Sequence, residues 1–367
     1  MQSKVIIVIT MCCLTVFVAG CGESNAIEKL AVVEAGAYDL SEGSENPITT
    51  TVLFPTVTKE GKFDTMALTA KGKSIHDTFL KVQNLTSLKI VGGQGTILFG
   101  EDLAKKGLIN VVKSLRRDPE IGIRVKFAMV EGNAGKLLEK KFPSIEDNAE
   151  FIYLFLERAG WQDKVLFTNQ YRFLRDYYDD GIDPVLPVFS YEGDTIGLKG
   201  VGTFKGDRYV TLLTFSETQI LNYLIGNIKN GRLMIAMNDL EPGQNYQLSL
   251  SNINSDNDKI INTKNMQAEI KVKLKASVLE YTGTMDISKE KYQKQLEGQI
   301  EKYLTTNSEK LIAKLQQSQS DPIGIGKVVR NHLTYERWKS MNWNKTYSNM
   351  SIKVQVKVEL TNSGKSI

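Results

Sequence analysis

Cysteine is nearly missing from this chain: there are three in 367 residues, Cys12, Cys13 and Cys21, and none follows. Beyond Cys21 neither a disulfide nor a thiolate metal site can form. Histidine is as scarce. His76 and His332 are the only two, far apart and without ligand spacing, which argues against a histidine metal site or a catalytic triad. Charge of one sign is also lacking, since 46 Lys and Arg against 42 Asp and Glu leave a formal +4. That excess is too small to mark a nucleic-acid protein. No phosphate loop occurs in the required form, and Gly92-Gly93-Gln94-Gly95 lacks the strand, helix and acidic partner of a dinucleotide fingerprint. Its glycines read as a turn or bulge.

What is present is a globular composition, 41% hydrophobic and 24% charged, on a chain longer than one core usually supports. Two or three domains are expected. The first twenty residues read as a signal peptide. Lys4 supplies the positive start, and the fourteen residues from Val5 to Val18 carry no charge. As a helix they would rise about 21 Å, short of the roughly 30 Å hydrocarbon core. Val18-Ala19-Gly20-Cys21 then resembles a lipobox, with cleavage between Gly20 and Cys21 and a diacylglyceryl group, followed by an N-acyl group, on Cys21. Two or three acyl chains anchor a protein stably where one is marginal. Cleavage would remove Lys4 and no acid, lowering the formal charge from +4 to +3, and would leave no free thiol.

The mature chain reads as mixed α and β. Strands are expected at 31–40, 50–54 and 122–131, two short apolar runs lie around the glycines of 89–99, and helices are expected at 71–82, 102–117 and, capped by Ser144, 145–160. The polar stretch 175–183 marks a first boundary. Strands at 185–191, 196–204 and 209–215 follow, the last two joined through Lys205-Gly206-Asp207-Arg208, and Ser216 with Gln219 suggests a capping box for a helix to about 228. Residues 251–265, rich in Asn, Asp and Ser, form a weaker boundary. Strict alternation at 268–278 and 350–360 predicts two half-buried strands, with the longest helix, 292–316, between them.

Three features invite chemistry. Asp176, Asp179, Asp180 and Asp183 are clustered, but without the spacing of a calcium loop, and read as a solvated linker. Trp338 and Trp343 read as core anchors. Lys271, Lys273, Lys275, Lys353 and Lys357 would share one sheet face if their strands are neighbours, either as a soluble edge or as a contact for anionic lipid or an acidic partner.

The order of these segments resembles the Ger(x)C lipoproteins, the C subunits of spore germinant receptors. Asp39 lies at the end of the family's first strand, and Ala70-Lys71-Gly72-Lys73-Ser74 is similar to its entry to a helix. The run Gly100-Glu101-Asp102-Leu103-Ala104-Lys105-Lys106-Gly107 is close to its Gly-Glu-x-Leu-Ala-x-x-Gly motif, followed by Arg117-Asp118-Pro119-Glu120. Lys205 and Asp207 match its hairpin, Glu280 an acidic position, and Asp321, Gly324 and Gly326 its Asp-x-Phe-Gly-Phe-Gly loop, before Trp338 and Trp343. Three departures stand out: Gly22-Glu23 replace Trp-Asp after Cys21, Ile323 and Ile325 replace both loop phenylalanines, and the terminal Arg-x-x-Gly is reduced to Thr361-Asn362-Ser363-Gly364.

The resemblance implies an α/β fold of three successive domains with mixed sheets and packed helices, here 21–184, 185–262 and 263–367, after the signal peptide 1–20. It implies a non-catalytic subunit with no cofactor and no metal, lipid-anchored on the outer face of the spore inner membrane. Its partners would be the integral-membrane A and B subunits and membrane lipid, and no nucleic acid. A second class stays open, a substrate-binding lipoprotein of a transporter. That class needs a cleft between similar lobes, and no internal repeat makes two lobes alike.

Overall fold

The structure, a computed structural model, describes residues 29–41, 48–58, 60–119, 121–161, 168–226, 228–236 and 246–361. Gly20 and Cys21, with the expected signal peptide, lie outside the described residues.

Two mixed sheets organise the chain, so the mixed α/β reading stands. The first has eight strands in the order β3-β2-β1-β4-β5-β6-β7-β8. These are β1 (Leu30–Leu40), β2 (Ile48–Val57), β3 (Phe63–Gly72), β4 (Lys89–Gly100), β5 (Lys126–Val130), β6 (Val185–Glu192), β7 (Thr195–Lys205) and β8 (Arg208–Thr214). The central four run parallel, and an antiparallel hairpin flanks each side. Parallel strands must be covered on both faces, and β5 is buried along its whole length. One face carries α1 (Ile75–Gln83), α2 (Glu101–Lys106), α3 (Ile109–Arg117) and α6 (Gln170–Tyr178). The other carries α4 (Ala134–Glu139) and α5 (Asn148–Trp161).

The second sheet has the order β12-β11-β10-β9, from β9 (Gly231–Ala236), β10 (Gln247–Asn262), β11 (Gln267–Tyr281) and β12 (Ser351–Leu360). Its inner face packs against α7 (Phe215–Ile225), the 28-residue α8 (Glu290–Gln317), α9 (Ile325–Asn331), α10 (Tyr335–Lys339) and α11 (Trp343–Asn349). On its outer edge, Glu297 and Glu301 of α8 accept the Leu360 and Val358 N–H groups of β12 at 2.8 and 3.0 Å. Outward N–H groups of an edge strand otherwise invite another chain.

Hydrogen bonding crosses both expected domain limits. β5 pairs with β6 in parallel across 184/185, and β10 pairs with β11 across 262/263. The polar run 251–265 is no linker, since most of it belongs to the 16-residue strand β10. Its inward polar groups serve the end of α7: Asn257 Nδ2 donates to Tyr223 O at 2.9 Å, Lys259 Nζ to Ile225 O at 3.1 Å, and Ser255 Oγ accepts Ile228 N at 3.0 Å. Carbonyls at a helix C-terminus have no partner within the helix, so an alternation of polar with polar can still be a half-buried strand.

Local boundaries differ in similar ways. The expected helix 102–117 is two, broken at Gly107 with φ 129°. The capping box of α7 is Thr214 with Glu217, not Ser216 with Gln219. Asp147, not Ser144, accepts the Ala149 and Glu150 N–H groups at the start of α5.

Candidate functional site

The residues singled out by motif converge on two places, and both are built from buried carboxylates that hold backbone N–H groups. The larger is the joint between the two sheets. α6 ends at Tyr178, and the chain turns through Asp179, Asp180, Gly181 and Asp183 into β6. Two other loops meet it, the Gly206–Asp207 turn of the β7–β8 hairpin and the 318–324 loop that follows α8.

Asp183 ties all three together. Its Oδ1 accepts the Gly206 N–H at 2.7 Å, its Oδ2 accepts the Asp321 N–H at 2.7 Å, and its own N–H donates to Asp321 O at 3.0 Å. Asp321 is 1% exposed and takes the start of α9: Oδ1 accepts Gly324 N at 2.9 Å and Ile325 N at 3.1 Å, and Oδ2 accepts Gly326 N at 2.8 Å. Ser320, wholly buried, donates to Phe204 O at 2.6 Å. Lys205 meets Gln319 through its ammonium. The glycines are required by contact. A Cβ on Gly326 would stand 2.6 Å from the Gly181 Cα and 2.6 Å from the Trp343 ring, and Gly324 has φ 72°.

An outer layer of ion pairs closes the joint. Asp179 pairs with Lys327 at 2.8 Å and Arg330 at 2.7 Å. Asp180 accepts Trp338 Nε1 at 3.2 Å and Lys339 Nζ at 3.1 Å. The Trp338, Trp343 and Tyr347 rings follow one another at 5.7 and 5.8 Å between centroids. Burial works against ionised Asp179, but the hydrogen bonds from Lys327 and Arg330 outweigh it and hold its carboxyl low. The Lys339 hydrogen bond does the same for Asp180, against weaker burial. Inside the joint the balance reverses. Burial pushes Asp183 up, and raises Asp321 to about 7 despite the three N–H groups donated to it.

The smaller place lies at the carboxyl ends of β1 and β4, where the connections of the parallel strands diverge. Open α/β sheets bind ligands at such a point. Here a side chain fills it. Asp39, 3% exposed, accepts Ala134 N and Gly135 N at 2.8 Å each, the first N–H groups of α4. Gly100 has no room for a side chain, since a Cβ would lie 1.9 Å from Asp39 Oδ1. Glu101 turns back to accept Gly132 N at 3.1 Å and pairs with Lys105 at 2.7 Å. Gly107 sits against Asp207, whose Oδ2 accepts Ile109 N at 3.1 Å. A row of rings, Phe99, Phe127, Phe173 and Phe204, with neighbouring centroids 5.1 to 6.2 Å apart, joins this place to the larger one.

Three motif residues belong to neither place. Arg117 ends α3, exposed, with Asp118 as its C-cap, and Glu280 is exposed on β11 opposite Ser249. His76 is exposed on α1, and His332 caps α9 with Nδ1 2.8 Å from Val328 O. No group of three or more metal-ligating side chains occurs among the described residues. The solvated-linker reading of the aspartates is corrected, because Asp179, Asp180 and Asp183 are each engaged by α9, α10 or the loop before α9. Gly181, between acids and before Pro184, was the available signal of a packed turn. β11 and β12 are parallel neighbours, so the five lysines do share a face, where Lys275 pairs with Glu359 at 2.9 Å and Lys271 with Glu269 at 3.6 Å.

Comparison with known proteins agrees with this arrangement. Residues 23–191 match the family model described as the spore germination protein N-terminal domain, and residues 199–364 match the spore germination B3/GerAC-like C-terminal model. The chain is 25% identical to the Bacillus cereus spore germination protein GerQC over 358 residues, covering 96% of this chain and 97% of that one. It is 21% identical to the putative spore germination protein YfkR of Bacillus subtilis (strain 168) over 309 residues, 80% and 78% of the two. The crystal structure of the GerBC protein shares the fold, with a TM-score of 0.56 and 17% identity over 90% of this chain and 98% of that one. With both halves matched in sequence and the whole matched in fold, the chain belongs to the Ger(x)C family of spore germination proteins.

Proposed function

We propose that this protein is the C subunit of a nutrient germinant receptor, a lipid-anchored and non-catalytic component through which spores respond to nutrients. The observation that supports it is the pair of family matches, in family order, over residues 23–191 and 199–364. Asp39, Asp183, Asp207 and Asp321 hold backbone N–H groups, which fits a body that keeps a shape and passes a state between partners. Those partners are the integral-membrane A and B subunits. Cys21 carries the acyl groups after cleavage behind Gly20, and the body sits on the outer face of the spore inner membrane. The described residues contain no helix long and apolar enough to cross a membrane, and a lipid supplies attachment.

The transporter alternative is weaker on this fold, because an eight-stranded sheet and a four-stranded one do not make two like lobes. Deleting the gene and scoring germination on a panel of single nutrients tests the proposal. Loss of the response to at least one nutrient, restored by the wild-type gene, is expected. An unchanged response to all of them counts against it. Cys21→Ala should lower receptor level and germination together without abolishing either, since integral partners also hold the subunit.

A further inference from the structure

A cavity of about 660 Å³ opens on the α1 and α3 face of the first sheet, away from both carboxylate sites. Its floor is where β1 and β4 shift register between Val33 and Ala35. Glycine is obligatory there: a Cβ on Gly93 would lie 2.4 Å from Val33 O, and one on Gly95 1.7 Å from Glu34 O. Close approach of the backbones explains those glycines, and it also strips the floor of side chains. Gly36 is different. A Cβ there would meet only the Tyr38 ring, at 3.7 Å and 3.9 Å, an ordinary contact, so this position tolerates a side chain and leaves the space open. Ile75 and Phe79 of α1, and Leu115, Ile121 and Val125 around the end of α3, form apolar walls.

The exposed polar groups lie at the mouth. His76, Arg117 and Asp118 line it, and the Asp118 charge reaches the buried Tyr38 hydroxyl closely enough to help keep its proton on, after burial itself. The lining also holds Glu34, whose carboxyl is pushed up to about 7 by burial, so below that pH one guanidinium is set against one ionised carboxylate. Arg117 and Asp118, two motif residues that the carboxylate sites leave out, therefore have a place in the fold.

We propose that this cavity is a binding site for a small molecule of no net charge, with an apolar or aromatic body and hydrogen-bonding groups at one end. The volume falls in the range of small-molecule sites, about 300–1,000 Å³, which are mostly apolar with a few placed polar groups. An apolar cavity of about 150 Å³ already takes benzene, so this one has room for a bicyclic ring. The walls select the body, and below about pH 7, where Glu34 keeps its proton, the Arg117 and Asp118 charges offset each other and favour neither a cation nor an anion. The site is independent of the lipid anchor and of the partners proposed above.

The test uses the purified full-length chain and indole as probe, read by ligand-observed saturation-transfer NMR, with indole-3-acetate and tryptamine as the charged comparisons. Saturable binding of indole, tighter than either charged analogue, is expected. Gly36→Val, which fills the floor, should weaken it by about tenfold or more. Ser114→Phe blocks the mouth from an exposed position on α3 and should do the same without touching the core. Asp118→Asn should shift preference toward indole-3-acetate. Absence of saturable indole binding overturns the proposal, as does binding that neither Gly36→Val nor Ser114→Phe reduces in variants that keep the wild-type melting temperature.

Discussion

Asp321→Ala should destabilise the second sheet and its helices by about 3 to 5 kcal/mol. The carboxylate accepts three N–H groups at the start of α9, at 2.8 to 3.1 Å, in a position 1% exposed. Truncation orphans all three donors where water does not reach them, at roughly 1 kcal/mol or more each. Because a domain is stable by only about 5–15 kcal/mol, the loss is large. Equilibrium urea unfolding of the full-length chain, followed by tryptophan fluorescence, measures it, since Trp338 and Trp343 lie at the joint. A change below about 0.5 kcal/mol, the range of an ordinary surface substitution, would refute the reasoning.

Asp321→Asn adds a pH test. Burial raises the Asp321 carboxyl from 3.8 to about 7 in the folded protein. Between those values the folded state binds more protons than the unfolded one, so the contribution is intact below pH 3.8 and is lost as pH rises to about 7. The shift sets a ceiling of about 4 kcal/mol. Asparagine cannot ionise, so the stability of the wild type minus that of the variant should fall across this window. A flat or rising difference would mean that the three N–H groups, and not burial, govern the carboxyl.

Gly326→Ala should cost about 1–3 kcal/mol, the usual range for overpacking, because its Cβ meets the Gly181 backbone and the Trp343 ring at 2.6 Å. A shifted tryptophan emission maximum at native pH, with a lower urea midpoint, would register it. Glu297→Ala with Glu301→Ala uncovers the Val358 and Leu360 N–H groups on the edge of β12. Self-association in sedimentation velocity should rise, whereas the single variants should stay closer to the wild type.

Elements whose burial shows as a pattern of apolar residues were legible. The alternation of Ile270, Val272 and Leu274 against lysines fixed β11, and Ile352 to Val358 fixed β12, because one apolar face leaves a period of two. The polar half of β10 was not legible, because Asn257 and Lys259 point inward to cap α7 and Ser255 accepts the Ile228 N–H just beyond it, roles that depend on residues about thirty positions away. The break at Gly107 was hidden for the same reason. It answers to Asp207, about a hundred residues on, while the local apolar spacing continues through it.

The same distinction explains the sites. Motif matching found Asp39, Asp207 and Asp321, but only the structure shows that each accepts backbone N–H groups, Asp39 and Asp207 from a segment far along the chain and Asp321 from the turn that follows it. Such a role leaves no titratable partner or ligand spacing in the sequence, so a search for chemistry passes over it. It does leave glycine. Gly100 lies against Asp39, Gly107 against Asp207, and Gly326 closes the loop that Asp321 holds, because a carboxylate reaches a backbone only where side chains are missing. An acid far from a glycine in sequence, both outside any catalytic pattern, is therefore the mark of a built joint. The joint of Asp183 and Asp321 ties the first sheet to the second through backbone hydrogen bonds. The function proposed above, a subunit that passes a state between membrane partners, would draw on that tie.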